Sequence, residues 1–133
     1  SDSFQQAAQE QGIDLVCHIV QPLTVQVPPG VAASVVGNLL SNALQHTRKG
    51  RVELRLESDR MVVQDTGIGI GVQEQLRIFE RGYRGARSQG RGIGLYLVQR
   101  ICERLDWTVH VHSAPGAGTR FDVVLPLAAL TKI

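Results

Sequence analysis

Apolar and polar residues alternate in five stretches of the chain, and this period of two predicts β-strands. In the clearest stretch, apolar residues at 52, 54 and 56 face one way and charged residues face the other. A turn at Ser58-Asp59 and a returning strand from Met61 complete a hairpin with one solvated face. The other predicted strands are 13–18, 107–112 and 119–125, and Val25 with Val27 adds a short extended piece.

The apolar period changes to that of a helix in two segments. From Val31 to Thr47 the apolar residues form one stripe, with Pro29 as a stop before the helix and Gly50 beyond its end. A second stripe begins at Ile93 and ends at Leu105. Residues 65–91, between these helices, are rich in Gly and Arg, and they predict a long loop with a short helical candidate near 72–78.

These elements predict an α+β domain, a two-layer α/β sandwich whose helices cover one face of a mixed, mostly antiparallel sheet. The regular βαβ alternation that a doubly wound parallel sheet requires is absent from the pattern. We expect a single domain over residues 1–133, with its core at 13–127.

Composition and charge narrow the classes of function. The net charge of +2 is too small to indicate a nucleic-acid surface, and no apolar run approaches the roughly 20 residues of a membrane span. Because the chain begins at Ser1, we expect a piece of a longer protein. Cys17 and Cys102 have no metal-ligand spacing and are expected to be buried, reduced thiols. We expect His110 and His112 on the outward face of a strand.

Asn38 and Asn42 are the first candidates for chemistry. Four residues apart, they lie on one face of the predicted helix, which Gln45 or His46 extends. Asparagine is a mediocre helix former, so two of them in mid-helix indicate a ligand or a metal for their amide oxygens. The alternative, that both simply face water, stays open.

Two glycine-rich segments supply the next candidates. In 65–70 an acid ends a strand and alternating glycines follow, so Asp65 can accept a hydrogen bond from an exocyclic amine such as that of adenine. Segment 90–95 leads into a helix, whose N-terminus favours phosphate, and Arg84, Arg87 and Arg91 can add charge. An ordinary turn without any ligand is the alternative for each segment, and it is the expected explanation of Gly116 to Thr119 taken alone.

In this order the segments resemble the Bergerat-fold ATP-binding family, which includes gyrase-type topoisomerases, heat-shock chaperones, mismatch-repair ATPases and histidine kinases. Within it the sequence is most similar to bacterial sensor histidine kinases. The resemblance covers residues 13–127 and consists of five co-linear motifs. These are an N box at 38–47, a first glycine box at 65–69, an F box at 79–84, a second glycine box at 90–95 and a small one at 116–119.

The resemblance implies a site for ATP and Mg²⁺. Asn42 would ligate Mg²⁺ bridging the phosphates, with Asn38 beside it, and these two are the expected catalytic residues. Asp65 would bind the adenine amino group, Thr119 would help to close the adenine pocket, and residues 71–90 would form a lid. The other residues expected at the nucleotide are His46, Gly67, Gly69, Ile70, Arg84, Arg91, Gly92, Ile93, Gly94 and Leu95.

The activity implied by the resemblance is that of a sensor histidine kinase. The γ-phosphoryl group of ATP would pass to a histidine of a helical dimerisation domain of the same protein, and indirectly to a response regulator. None of the four histidines lies in such a helical segment, so we expect the acceptor domain to be absent from this sequence. The piece is then expected to bind ATP as a monomer without phosphorylating itself. It would be a cytoplasmic domain of a parent anchored in the inner membrane.

Departures from the family pattern leave alternatives open. Gln45 stands where the family often has a basic residue, and Gly82 stands where the F box often has a second Phe. A degenerate domain that only senses nucleotide or binds a partner is therefore one alternative. A water-using ATPase or an anti-sigma serine kinase of the same fold is another, but such a protein carries a glutamate as general base where Asn38 stands.

Overall fold

A computed structural model describes residues 2–21, 26–83 and 94–126. Nine elements follow one another along these ranges. They are α1 (Asp2–Gln11), β1 (Ile13–Ile19), α2 (Pro29–His46), β2 (Gly50–Leu56), β3 (Arg60–Asp65), α3 (Val72–Gln75), α4 (Gly94–Leu105), β4 (Thr108–Ser113) and β5 (Thr119–Val124). None of the helices in these ranges is both long enough and apolar enough to cross a membrane.

The strands form one sheet in the order β1-β2-β3-β5-β4. β1 is parallel to β2, and the other neighbours are antiparallel. α2 and α4 pack against each other and against the sheet, while α1 packs on β1 and α2. The predicted α+β sandwich with a mixed, mostly antiparallel sheet is confirmed.

The core lies between α2 and the helix-facing side of the sheet. Leu39 and Val35 of α2 are fully buried with Val52 and Phe121 of the strands. Fully burying a side chain of this size stabilises the fold by about 1.5–3 kcal/mol. The ring of Phe79 meets that of Phe121 edge to face, with centroids 6.3 Å apart. This contact anchors the segment that leads away from α3 to the core.

The opposite face of the sheet is charged but not fully solvated. Asp122 is only 2% exposed on this face, and Arg120 and Arg60 both hold its carboxylate, at 2.6 Å and 3.2 Å. The hydrogen bonds from Arg120 are the main cause that lowers the pKa of Asp122. Val62 is Asp122's cross-strand neighbour and is fully buried outside the main core. The sheet face that the alternation predicted to be solvated therefore carries ion pairs around a buried carboxylate.

Several local predictions were incomplete or wrong. The helix α1 was not predicted, although Phe4, Ala7 and Ala8 have helical spacing and Ala8 is buried. Pro29 does not precede α2 but occupies its first turn, where a missing N–H costs nothing. The predicted extended piece fails at Val27, which lies in a bend, and Val25 lies outside the described residues.

One further prediction, the burial of both cysteines, is corrected by the exposure of their side chains. Cys102 is buried, as predicted, but Cys17 is exposed because it lies on the edge strand β1, so the expectation of two buried thiols was wrong. Both thiols are free. His110 and His112 are exposed on β4, as predicted. The single-domain boundaries stay a prediction.

Candidate functional site

One cross-strand row of the sheet changes from apolar to polar at its end. In register, Val52 lies beside Asp65, Asp65 beside Thr119, and Thr119 beside Ser113. Directly paired residues of antiparallel strands project from the same face, so all four point toward the helical layer. Asp65 and Thr119 are 4% and 5% exposed. The sheet thus gathers a carboxylate and two hydroxyls at one end of the core.

Asp65 is a buried carboxylate with part of its hydrogen-bonding capacity already used. Its Oδ1 accepts the backbone N–H of Gly67 at 2.8 Å. Burial raises the pKa of Asp65, while the backbone N–H groups of Gly67 and Thr119 and nearby His46 oppose the rise. A carboxylate can accept about four hydrogen bonds, so Asp65 retains acceptor capacity.

The glycines beside Asp65 are required by the protein's own backbone. A Cβ on Gly67 would collide with the carbonyl oxygen of His46, and a Cβ on Gly69 would collide with that of Ala114. Gly69 also has a φ of +75°, a conformation that glycine adopts without strain. The family resemblance assigned both glycines to close approach of the base. The structure gives them a second reason, which is the close approach of neighbouring loops.

These loops are connected by backbone hydrogen bonds. The N–H of Ile68 donates to His46 O at 3.1 Å, and the N–H of Gly116 donates to Ile68 O at 2.7 Å. Ile70 donates its N–H to Ser113 Oγ at 2.8 Å. Gln75 Nε2 donates to both Ile70 O and Ser113 O, at 2.8 Å and 3.0 Å. The segment after Asp65 is therefore held between the end of α2 and the β4–β5 turn.

Asn38, Asn42 and His46 lie on successive turns of α2 and are all half-buried. Asn38 Nδ2 donates to Ser34 O at 2.8 Å, which leaves its Oδ1 available. Within the described ranges the side chain of Asn42 has no hydrogen-bond partner. His46 Nδ1 lies 2.7 Å from Asn42 O, and because a carbonyl only accepts, Nδ1 carries the hydrogen.

The amide oxygens of Asn38 and Asn42 fit the preference of Mg²⁺ for hard oxygen ligands. Mg²⁺ usually takes only one or two protein ligands and completes its shell with phosphates and water. No cluster of three or more His, Cys, Asp or Glu side chains that could hold a metal occurs in the part of the chain that the structure describes. The protein ligands of a metal at this site would therefore be the amide oxygens of the asparagines.

The second glycine box is described only from Gly94. A Cβ on Gly94 would lie 3.0 Å from Asn38 Oδ1, so the start of α4 lies directly beside the N box. Leu95 is half-buried and packs on the core. Four predicted nucleotide residues, Arg84, Arg91, Gly92 and Ile93, lie outside the described residues. The structure brings the others together at one end of the helix–sheet interface.

Ser113, Gln75 and Thr47 were not predicted at this site. Ser113 had a detectable signal, because Val109 and Val111 face inward and Ser113 continues that period with a polar side chain. Thr47 is 2% exposed, and its hydroxyl has no hydrogen-bond partner among the residues described. No sequence signal could reveal Gln75, because its partners are backbone carbonyls, one of them 38 residues away in sequence.

Comparison with known proteins identifies the family of the chain. The model of one family, described as histidine kinase-, DNA gyrase B-, and HSP90-like ATPase, matches residues 29–129. The chain belongs to this ATPase family. The match includes α2, Asp65 and Thr119, so both ends of the site lie inside the family domain.

The similar curated proteins of this family are sensor histidine kinases. The sensor histidine kinase RppB of Synechocystis is 41% identical over 103 residues, which is 70% of this chain and 23% of RppB. The sensor histidine kinase RcsC of Escherichia coli is 32% identical over 115 residues, or 80% of this chain. The chain spans only 12% of RcsC. The matched region is a small part of these relatives.

Solved structures of histidine kinases share the fold. Full-length ShkA, crystallised in complex with AMPPNP, has a TM-score of 0.87 at 27% identity, covering 99% of this chain and 29% of that chain. The mycobacterial sensor histidine kinase MprB has a TM-score of 0.77 at 26% identity and covers 94% of this chain and 89% of that chain. The family domain is therefore the histidine kinase type of ATPase domain.

Proposed function

We propose that this chain binds Mg²⁺–ATP and donates the γ-phosphoryl group to a histidine of a helical dimerisation domain. The observation that carries the proposal is the buried carboxylate of Asp65, which keeps acceptor capacity at the junction of the N box and the first glycine box. An adenine amino group would donate to this remaining capacity, and a hydrogen bond to a charged group contributes about 1.5–3 kcal/mol. Membership of the ATPase family and the AMPPNP complex of ShkA support the choice of ligand.

The adenine end of the site would be built from Asp65 and Thr119, with the backbone of 67–70 as its wall. The unpaired hydroxyl of Thr47 supports a polar ligand atom or an ordered water here, because a Cβ on Gly67 would lie 2.9 Å from it. Since the carboxylate is buried and held by the backbone N–H of Gly67, it is already oriented to accept the base.

The phosphate end would be built from Asn38, Asn42 and His46 on α2 and from the start of α4. Bound Mg²⁺ supplies neutralisation of charge on the phosphate oxygens. Asn42 would offer it an amide oxygen, Asn38 Oδ1 would face the same region, and the N-terminal amides of α4 would point at the phosphates. Arg84, Arg91, Gly92 and Ile93 would complete this end.

The phosphoryl acceptor would be a histidine outside this sequence. His110 and His112 lie on the outer face of the sheet, and Asp65 and Thr119 lie on the opposite one, so neither histidine is placed to receive a phosphoryl group. The partners are then ATP, the helical dimerisation domain of the same protein and, indirectly, a response regulator. We place the domain in the cytoplasm, where ATP is abundant, as a monomeric part of a membrane-anchored parent.

Transfer is tested by incubating the chain with Mg²⁺ and γ-labelled ATP, alone and with the helical domain of its parent protein. We expect label only on the helical domain, in an acid-labile and alkali-stable form typical of phosphohistidine. Label on this chain alone contradicts the proposal. Release of inorganic phosphate without labelled protein identifies a water-using ATPase instead.

Replacing Asn42 with alanine is expected to remove the contribution of Mg²⁺ to nucleotide affinity. Calorimetric titration with AMPPNP should then give the same Kd in Mg²⁺ and in EDTA, whereas the unmodified chain binds more tightly in Mg²⁺. Ser41→Ala is the matched control, because Ser41 is an exposed residue of the same helix. Full Mg²⁺ dependence in Asn42→Ala would show that the metal is held elsewhere.

Binding of the base is expected to weaken in acid at a higher pH than an ordinary aspartate would cause. Only the ionised carboxylate accepts freely, and burial raises the pKa of Asp65, so affinity falls as pH falls through that raised value. The free energy of unfolding depends on pH in the opposite direction. The contribution of Asp65 to the free energy of unfolding is present below the unfolded pKa and is lost as pH rises through the folded pKa.

Calorimetry with adenosine across the acid range checks this, because adenosine carries no phosphate to titrate. Thermal unfolding without ligand, compared with Asp65→Asn, isolates the contribution of Asp65 to stability. Affinity that stays constant to the usual pKa of an aspartate would contradict the expected shift.

A further inference from the structure

Ser113 makes more hydrogen bonds than any other side chain at this end of the described structure. Its Oγ accepts the N–H of Ile70 at 2.8 Å, donates to Gly118 O at 2.8 Å, and lies 2.9 Å from Thr119 Oγ1. Its carbonyl accepts Gln75 Nε2 at 3.0 Å. Neither the sequence motifs nor the family resemblance assigns Ser113 a role.

Counting hydrogens fixes the direction of the bond between the two hydroxyls. A serine hydroxyl has one hydrogen and two lone pairs. The carbonyl of Gly118 can only accept, so it takes the hydrogen of Ser113. The N–H of Ile70 can only donate, so it takes one lone pair. Thr119 must therefore donate its hydroxyl hydrogen to the second lone pair of Ser113.

Because its hydrogen is donated to Ser113, the Thr119 hydroxyl can only accept a hydrogen bond from a ligand beside it. Asp65 is the direct cross-strand neighbour of Thr119, and its ionised carboxylate is also only an acceptor. The pair formed by Asp65 and Thr119 therefore presents two acceptors and no hydroxyl hydrogen to a ligand beside it. Adenine carries a donating amino group at the position where guanine carries an accepting carbonyl oxygen.

We propose that Ser113 is a positioning residue that makes this site select adenine over guanine, by holding the Thr119 hydroxyl as an acceptor. The inference rests on the proposed nucleotide function and adds the residue that sets base specificity. Ser113 acts through Thr119 and does not itself touch the base. Without it the Thr119 hydroxyl rotates freely and can donate to a guanine oxygen.

The selectivity is measured as the ratio of Kd values for GMPPNP and AMPPNP on the 133-residue chain. Ser113→Ala is expected to lower this ratio about five- to tenfold, the value of one neutral hydrogen bond, while Asp65 still disfavours guanine. Ser113→Thr keeps the hydroxyl and is expected to restore the ratio. An equal loss of affinity for both nucleotides, or an unchanged ratio, overturns the proposal, because a purely structural role predicts one of these.

A double-mutant cycle tests whether Ser113 acts through Thr119. Thr119→Val removes the hydroxyl and is expected to lower the ratio by itself. In that background Ser113→Ala should change the ratio no further. An unchanged ratio in Thr119→Val overturns the proposal even if Ser113→Ala does not fold. If the unmodified chain binds neither nucleotide, the proposed function fails, which is a distinct result.

Discussion

Replacing Asp65 with asparagine is expected to weaken AMPPNP binding by about ten- to a hundredfold, the value of a hydrogen bond to a charged group. Asparagine keeps the shape and one acceptor oxygen, but its amide nitrogen only donates. Because one oxygen accepts the N–H of Gly67, the amide nitrogen would take the other position and present a donor, where the carboxylate offers an acceptor to the base. Calorimetric titration gives the Kd, and the nucleotide-dependent rise in Tm checks it.

Asp106→Asn is the matched control for this substitution. Asp106 is exposed between α4 and β4 and has a φ of +62°, a conformation that asparagine tolerates well. The same chemical change should therefore leave both stability and nucleotide affinity close to those of the unmodified chain. If Asp65→Asn binds as tightly as Asp106→Asn, the base is not held by Asp65 and the adenine site is misplaced.

Replacing Gly69 with alanine is expected to lower the free energy of unfolding by about 2–5 kcal/mol. About 1–2 kcal/mol of this comes from a side chain at positive φ, and about 1–3 kcal/mol comes from overpacking, because the new Cβ meets the backbone carbonyl of Ala114. Backbone atoms cannot move aside as a flexible side chain can. The β4–β5 turn would have to shift, and nucleotide binding should fall with stability.

Gly116→Ala separates the two contributions. Gly116 has nearly the same φ, +79°, but a Cβ there meets nothing within 4 Å. It should show only the conformational cost, about 1–2 kcal/mol. Denaturant unfolding of both variants gives the difference directly. Equal losses of stability would mean that the contact between Gly69 and the 114–118 turn is not tight.

Much of the fold could be predicted because apolar and polar residues follow regular periods along much of the chain. The strand β2 follows from apolar residues at every second position, β3 follows from the turn and the apolar residues after it, and α2 follows from its apolar stripe. The prediction failed where local pattern and burial differ. α1 is rich in polar residues and is held mainly by contacts of Phe4, Ala7 and Ala8 with the core. Cys17 belongs to an apolar run yet is exposed, because an edge strand has a neighbour on only one side.

The candidate site divides in the same way. Asn38, Asn42, Asp65 and Thr119 were predicted from their motifs, and the structure brings Asp65 and Thr119 into one row of the sheet. Their nucleotide contacts stay a prediction. Ser113 was missed although it continues the inward-facing period of β4 with a polar side chain. Gln75 was missed because one of its partners is the backbone carbonyl of Ser113, far away in sequence, and a hydrogen bond to backbone leaves no trace in residue identity.

Most element types, the glycine boxes and the family could be predicted from the residues alone, because periodicity and motif spacing are local properties of the chain. Which loops meet, and therefore why Gly67 and Gly69 must be glycines, depends on the folded arrangement. The folded arrangement also decided the raised pKa of Asp65, which depends on burial, and the direction of the Thr119 hydroxyl, which depends on Ser113. These properties arise from atoms brought close by folding, and no single segment of the chain encodes them.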